Sequence, residues 1–152
     1  MANEVVCEPF HPHDVSAGAR LIERLGAQAY PTGAPWSEPV IEENIKTPTS
    51  VYWLLKVNHE PVGFLSGTMV IDQLELTNLG VISAYQGRGL GKRLLTTWLS
   101  QYEPGVVVTL EVRVHNEPAF NLYKAVGFKT IMRRPNYYDR PVEDAWVMQK
   151  RA

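Results

Sequence analysis

Six consecutive residues, Gln86-Gly87-Arg88-Gly89-Leu90-Gly91, narrow the possible folds of this chain more than any other stretch. Before them, Leu74 to Val81 reads as a strand. After them, Leu90, Leu94, Trp98 and Tyr102 recur at helical spacing. Glycines let the backbone turn sharply and approach a ligand, and the first turn of a helix leaves N–H groups unpaired. Strand, glycine turn and helix start together make an anion site. Arg88 and Lys92 add positive charge there, so a phosphate-bearing guest is the natural one. A mononucleotide loop requires Gly, four residues, then Gly-Lys-Ser/Thr, but Gln86 stands at the first glycine and Arg93 at the hydroxyl position. A dinucleotide loop starting at Gly87 would need Gly or Ala where Lys92 stands. The spacing present is Gln-x-x-Gly-x-Gly. The plain alternative is a helix start with no ligand.

The rest of the chain supplies an α/β pattern. Glu4 to Phe10 reads as a strand, and Asp14 as the cap of a helix carrying Val15, Ala19, Ile22, Leu25 and Ala29. Pro31 to Pro35 breaks that helix. Ser37 then stands where it can cap a short second helix with Ile41 and Ile45 on one face. Val51–Val57 and Val62–Val70 read as strands joined by the loop Asn58 to Pro61, and Gly80 in the next strand marks a bulge or a close backbone approach. Val106 to Val114 is so rich in β-branched residues that it reads as a central strand covered on both faces. Asn116 caps a helix with Ala119, Leu122, Tyr123 and Val126 inward, and Gly127 ends it. Phe128–Arg134 and Ala145–Gln149 complete a mixed sheet of six or seven strands with about four helices. No repeat, low-complexity tract or linker divides residues 1–152, so a single domain is expected.

Composition excludes several function classes. The formal net charge of -1 lacks the basic excess of a nucleic-acid binder. Cys7 is the one cysteine, so it has no disulfide or metal-pair partner within the chain. His11 and His13 lack a supporting carboxylate or cysteine cluster, and no metal is expected. No apolar stretch approaches a membrane span, and Met1 to Phe10 carries no leader pattern, which points to the cytoplasm.

Gln86-x-x-Gly89-x-Gly91 resembles the pyrophosphate-binding signature of the GNAT acetyltransferase superfamily. A second series is more specific: Leu110-Glu111-Val112-Arg113-Val114-His115-Asn116, Ala119, Leu122-Tyr123, Gly127-Phe128, Asn136-Tyr137-Tyr138 and Glu143-Asp144-Ala145. Together with Asn78 and Pro35-Trp36-Ser37-Glu38, it resembles the bacterial ribosomal-protein-alanine N-acetyltransferases, the RimI-like branch, from about Pro35 to Met148. The resemblance implies a mostly antiparallel mixed sheet whose fourth and fifth strands splay apart. It implies acetyl-CoA in that V, its pyrophosphate on Gln86, Gly87, Arg88, Gly89, Leu90, Gly91 and Lys92. The acceptor it implies is a protein N-terminal amine, typically the alanine of small-subunit ribosomal protein eighteen. Asp139 to Val142 is shorter than in several relatives, and Tyr30 to Pro35 is proline-rich. Both bear on the acceptor wall.

The individual residues carry two readings each. Glu111 shares a strand face with Thr109 and Arg113. It is either an ion-pair partner of an arginine such as Arg113 or the general base that the resemblance implies. An α-amine of pKa about 7.7–8.0 asks for only a modest base. Tyr123 fits core packing by its spacing, and the resemblance makes it the acid that protonates the departing thiolate. Leu79, Gly80 and Val81 either end a strand or, as the resemblance implies, hold the pantetheine arm and polarise the thioester through their backbone. Asn116 is a helix cap by position and a CoA contact by resemblance. Trp36, Tyr137 and Tyr138 either close the core or line the acceptor groove. His115 reads as a solvated loop histidine. Acetylation of a small amine or a lysine, or a CoA-binding module with little catalysis, are the competing functions.

Overall fold

The computed structural model describes residues 3–152; Met1 and Ala2, the start of the stretch read for a leader, lie outside the described residues. In chain order the elements are β1 (Val5–Pro9), α1 (Val15–Ala29), α2 (Glu38–Lys46), β2 (Ser50–Val57), β3 (Glu60–Val70), β4 (Gln73–Val81), α3 (Leu90–Leu99), β5 (Val107–Arg113), α4 (Glu117–Val126), β6 (Lys129–Tyr138) and β7 (Glu143–Arg151). The strands form one seven-stranded sheet ordered β1-β2-β3-β4-β5-β7-β6. β4 and β5 run parallel, and every other neighbouring pair is antiparallel. This is the mixed, mostly antiparallel α/β architecture expected from the sequence.

Local chemistry sets the helix ends. The Asp14 carboxylate accepts the Ala17 N–H at 3.1 Å and opens α1. Asn116 does the same for α4 through Ala119 N–H at 3.2 Å, and Gly127 closes α4 at φ 112°. Ser37 is the residue before α2, but its side chain makes no capping bond. Glu23 of α1 supplies that cap instead, accepting the Glu38 N–H. The α1–α2 pair is thus joined at a helix end that sequence spacing assigned to Ser37.

Three strands differ in extent from the sequence reading. β3 begins at Glu60, because Asn58 and His59 both take positive φ (50° and 72°) and make a two-residue turn. β6 runs on to Tyr138, so Asn136, Tyr137 and Tyr138 stand in a strand. β7 likewise extends to Glu143 and Arg151. β5 corrects a further expectation: Val108, Leu110 and Val112 are buried, while Val107, Thr109, Glu111 and Arg113 are only partly so. It is central in the sheet yet covered on one face.

The reason is how the helices are laid. α3 and α4 cover one face, packing Leu94, Leu95, Trp98 and Tyr123 against Leu74, Leu76, Val108, Leu110 and Met148. α1 and α2 cover the other face only over β2–β4, where Ile22, Leu25 and Ile41 meet Tyr52, Leu54 and Phe64. The polar face of β5 is left beside an opening.

Candidate active site

The opening comes from the parallel pair. β4 and β5 are in register only from Gln73–Leu76 against Val107–Leu110. Beyond that, β4 stays with β3 as far as Val81, and β5 stays with β7 as far as Arg113. The two strands part into a V. The register of β3 on β4 slips by one residue between Ser66 and Gly67, which leaves Thr77 as the extra residue of a bulge. A buried polar knot fixes that bulge: Ser66 Oγ lies 2.8 Å from Thr77 Oγ1 and accepts the Asn78 amide at 3.1 Å.

Strand alternation says which backbone groups face the V. Ile82 N–H donates to Val62 C=O on β3 at 2.8 Å. Gly80, two residues back, therefore also points to β3, and Leu79 and Val81 point the other way. Their groups are the free edge of β4. The Tyr30 hydroxyl donates to Leu79 C=O at 2.7 Å and accepts Leu79 N–H at 3.2 Å. The Gln86 amide donates to Val81 C=O at 2.7 Å and to Ala29 C=O at 3.0 Å. Gln86, expected among the phosphate contacts, thus uses its side chain to tie the glycine turn to β4 and to the end of α1. A Cβ on Gly80 would stand 2.9 Å from Ala29 Cβ and 3.2 Å from the Tyr30 ring, which explains the glycine.

Gly87 and Gly89 take φ of 78° and 75°, and nothing lies within 4 Å of where a Cβ would stand on either. Backbone conformation, with open space beside it, is what requires glycine there. Gly89 caps α3 without any side-chain bond, so the first N–H groups of α3 remain available to an anion. Gly91 instead allows ordinary packing against Leu122 and Val81, and Leu90 packs at the edge of the core. Arg88 is stacked on Tyr85 at 5.0 Å, and Lys92 lies in the first turn of α3. Unencumbered turn, open helix start and a strand edge that no neighbouring strand covers together fit a phosphate-bearing pantetheine ligand.

Glu111 stands at the mouth of the V. Its side chain is 14% exposed, and its ion-pair partner is Arg134 of β6 at 4.0 Å. The Arg113 pairing weighed from the sequence does not form. Arg113 turns away to Glu143 at 3.1 Å, to Pro141 C=O at 3.0 Å and to Asp139 C=O at 3.1 Å, and it stacks on Tyr138 at 4.3 Å. It therefore fastens the β6–β7 turn. His115 joins the same carboxylate at 3.0 Å through its ring and 2.8 Å through its N–H. Burial first, then the Glu75 carboxylate on β4, raises the Glu111 pKa, and Arg134 opposes them.

Two tyrosines, Tyr137 and Tyr138, face this carboxylate, and Tyr123 and Tyr30 lie beyond them. Tyr137 and Tyr138 meet edge to face at 5.0 Å, Tyr137 being 47% exposed. Tyr123 reaches in from α4, its ring buried and edge-on to Phe128 at 5.9 Å. Among the described residues no protein group hydrogen-bonds the Tyr123 hydroxyl, and no fully buried side-chain oxygen lacks a partner, so this oxygen reaches solvent-accessible space. Burial, then Tyr30 and Tyr138, raises the Tyr123 phenol well above its ordinary range. Burial also raises Tyr30, to about 12. All these phenols hold their protons at neutral pH.

Trp36 packs partly against the α1–α2 cluster, so it serves the smaller core while flanking the proline-rich wall. Asn116 spends its side-chain oxygen on the helix cap. Tyr30, Glu75 and Arg134 were given no role from the sequence, and Arg113 was weighed only as a partner of Glu111. A depression of about 590 Å³ lies elsewhere, between α4 and the β6–β7 pair, lined by Val114, Phe120 and Trp146.

The model of the Acetyltransferase (GNAT) family matches residues 19–128. The chain belongs to that family. Among GNAT relatives, the N-alpha-acetyltransferase RimI of Mycobacterium tuberculosis is 33% identical over 138 residues, 88% of this chain and 87% of that protein. The crystal structure of the ribosomal-protein-S18-alanine N-acetyltransferase from Escherichia coli superposes with a TM-score of 0.83 at 30% identity, covering 97% of this chain and 94% of that one. Arabidopsis thaliana NAA60, solved in complex with acetyl-CoA, shares the GNAT fold with a TM-score of 0.75 at 19% identity, covering 97% and 98%. Among the described residues no helix is long and apolar enough to cross a membrane.

Proposed function

We propose that this protein acetylates the α-amine at a protein N-terminus, its acceptor being the N-terminal alanine of a small-subunit ribosomal protein. The observation that carries this reading is the pairing, in one V, of a weakly ion-paired Glu111 with a Tyr123 hydroxyl free of protein partners. The names of the M. tuberculosis and E. coli relatives support the acceptor.

Acetyl-CoA supplies an acyl group already activated as a thioester. The first turn of α3, with Gly87 and Gly89, holds its pyrophosphate, and Arg88, Lys92 and Asn116 flank the same path. Val81 offers its strand-edge N–H to the pantetheine arm, and Leu79 N–H is the donor aimed at the developing oxyanion. Glu111 takes a proton from the incoming ammonium, directly or through water. Glu75 adds a second negative charge that favours a cationic acceptor at the mouth. Tyr137, Tyr138 and Trp36 line the acceptor side. Tyr123 gives its proton to the leaving sulfur. Transfer is direct: Cys7 lies on β1 at the sheet edge, with β2 and β3 between it and β4, and burial raises its thiol pKa.

The test is mass spectrometry of a reaction with acetyl-CoA and a peptide copying the N-terminus of the host's small-subunit ribosomal protein eighteen. Acetyl gain on the free α-amine, and none on an N-terminally blocked peptide, is the expected result. Gain only on lysine or on a small amine overturns the acceptor. Tyr123→Phe is expected to slow turnover by at most about 10²-fold, because a thiol of pKa about 8.5 already leaves fairly well. Release of free thiol under saturating substrates measures it. A loss as large as that from removing the base would show that Tyr123 does more than protonate sulfur.

A further inference from the structure

The Tyr30 hydroxyl makes two hydrogen bonds to one residue, Leu79, whose N–H and C=O are free only because β5 has diverged. A strand edge of this kind is normally completed by a neighbouring strand or by ligand. Here a side chain 49 positions away in sequence completes it. The arrangement is built in: Tyr30 follows the last turn of α1, its ring rests on the one residue of that stretch without a Cβ, Gly80, and Gln86 clamps Ala29 next to it. Tyr123 and Tyr138 are the groups nearest in charge, and both are neutral phenols with raised pKa values. No ionic partner therefore holds the hydroxyl on Leu79.

We propose that Tyr30 occupies the thioester's hydrogen-bonding position on Leu79 and that the thioester oxygen displaces it when acetyl-CoA binds. The inference rests on the reading above that Leu79 N–H receives the thioester oxygen. One N–H cannot point along its axis at two acceptors, so the hydroxyl and the thioester oxygen compete for it. Tyr30 is then a positioning residue that links the two substrates. It begins the segment Tyr30–Pro35, which leads to Trp36, and leaving Leu79 moves the start of the acceptor wall. Acetyl-CoA binding thereby reshapes the start of the groove that the peptide enters.

The experiment compares Tyr30→Phe with the natural protein, titrating each with acetyl-CoA and, separately, with free CoA, which has no thioester oxygen. Removing the competitor is expected to tighten acetyl-CoA about fivefold, the worth of roughly one net hydrogen bond, and to leave the CoA affinity unchanged. The variant's Tm falls without ligand and falls less with saturating acetyl-CoA. In the natural protein, the ring signals of a ¹³C-labelled Tyr30 shift on adding acetyl-CoA and stay in place on adding CoA, a readout that does not depend on the variant. Unchanged or weaker acetyl-CoA binding, or equal tightening of both ligands, overturns the displacement. Equal Tm losses with and without acetyl-CoA overturn it as well, since a purely structural hydroxyl behaves so. Failure of the natural protein to bind either ligand would instead overturn the functional reading on which the inference stands.

Discussion

Replacing Glu111 with Gln is expected to lower kcat about 10²- to 10⁴-fold while leaving acetyl-CoA affinity unchanged. Gln keeps the shape and the hydrogen-bonding oxygen, so the loss reports the proton acceptor alone. The pH profile gives a second signature. The active form of Glu111 is the carboxylate, and burial with the nearby Glu75 raises its pKa against the pull of Arg134. Activity therefore falls, as pH drops, at a higher pH than an ordinary glutamate would set. The charged and titratable groups facing it are Glu75 from β4 and Arg134, Tyr137 and Tyr138 from β6; Arg113 on its own strand is committed to Glu143. In Glu111→Gln this acid limb disappears, and the limb set by the acceptor's own α-amine near pH 7.7–8.0 remains. Rates from pH 5 to 9 with a saturating peptide measure both. An unchanged acid limb in the variant would assign the base to another group.

The largest stability effect is expected from Trp98→Ala. Trp98 is fully buried between α3 and the sheet, and its indole N–H donates to the Tyr102 hydroxyl at 3.0 Å. A Cβ on Gly67 would come within 3.1 Å of its ring, so the tryptophan fills space that β3 has cleared for it. Truncation removes the ring's burial and leaves a cavity, a cost of about 3–5 kcal/mol. Against a typical total of about 5–15 kcal/mol, that lowers Tm on the order of 10 °C. Urea and thermal denaturation measure it. Gly67 sits at the register slip beside the bulge, so the variant is also expected to bind acetyl-CoA more weakly. A Tm within 2–3 °C of the natural protein would mean that the surrounding core collapses onto the space.

Features governed by neighbours in sequence were legible. Asp14, Asn116 and Gly127 act at helix ends through bonds three or four residues long, and the positive φ of Gly87 and Gly89 follows from the turn they make. The alternation in β5 put Glu111 on the partly open face, although its β-branched richness suggested cover on both sides. The end of β6 was not legible, because Pro135 reads as a strand breaker. It is tolerated because β6 is an edge strand and its register on β7 slips between Arg134 and Tyr138. Pro61 misled in the same way, standing where β2 and β3 slip between Leu55 and Lys56. The cap from Glu23, the Arg113 clamp and the Tyr30 bridge depend on long-range approach. No local spacing encodes them.

The short ladder between β4 and β5 gives the site a division of labour. The meander β1–β4, with the glycine turn, forms one plate, and β5 with the β6–β7 hairpin forms another. Along their parallel seam, eight ladder positions, Gln73–Leu76 and Val107–Leu110, connect them. A change in the turn from Asp139 to Val142 is transmitted through Arg113 to β5, and along the sheet it crosses those positions to reach β4. The plate that meets the acceptor can thus be remodelled, residue by residue, while the plate that meets the acyl donor keeps its geometry.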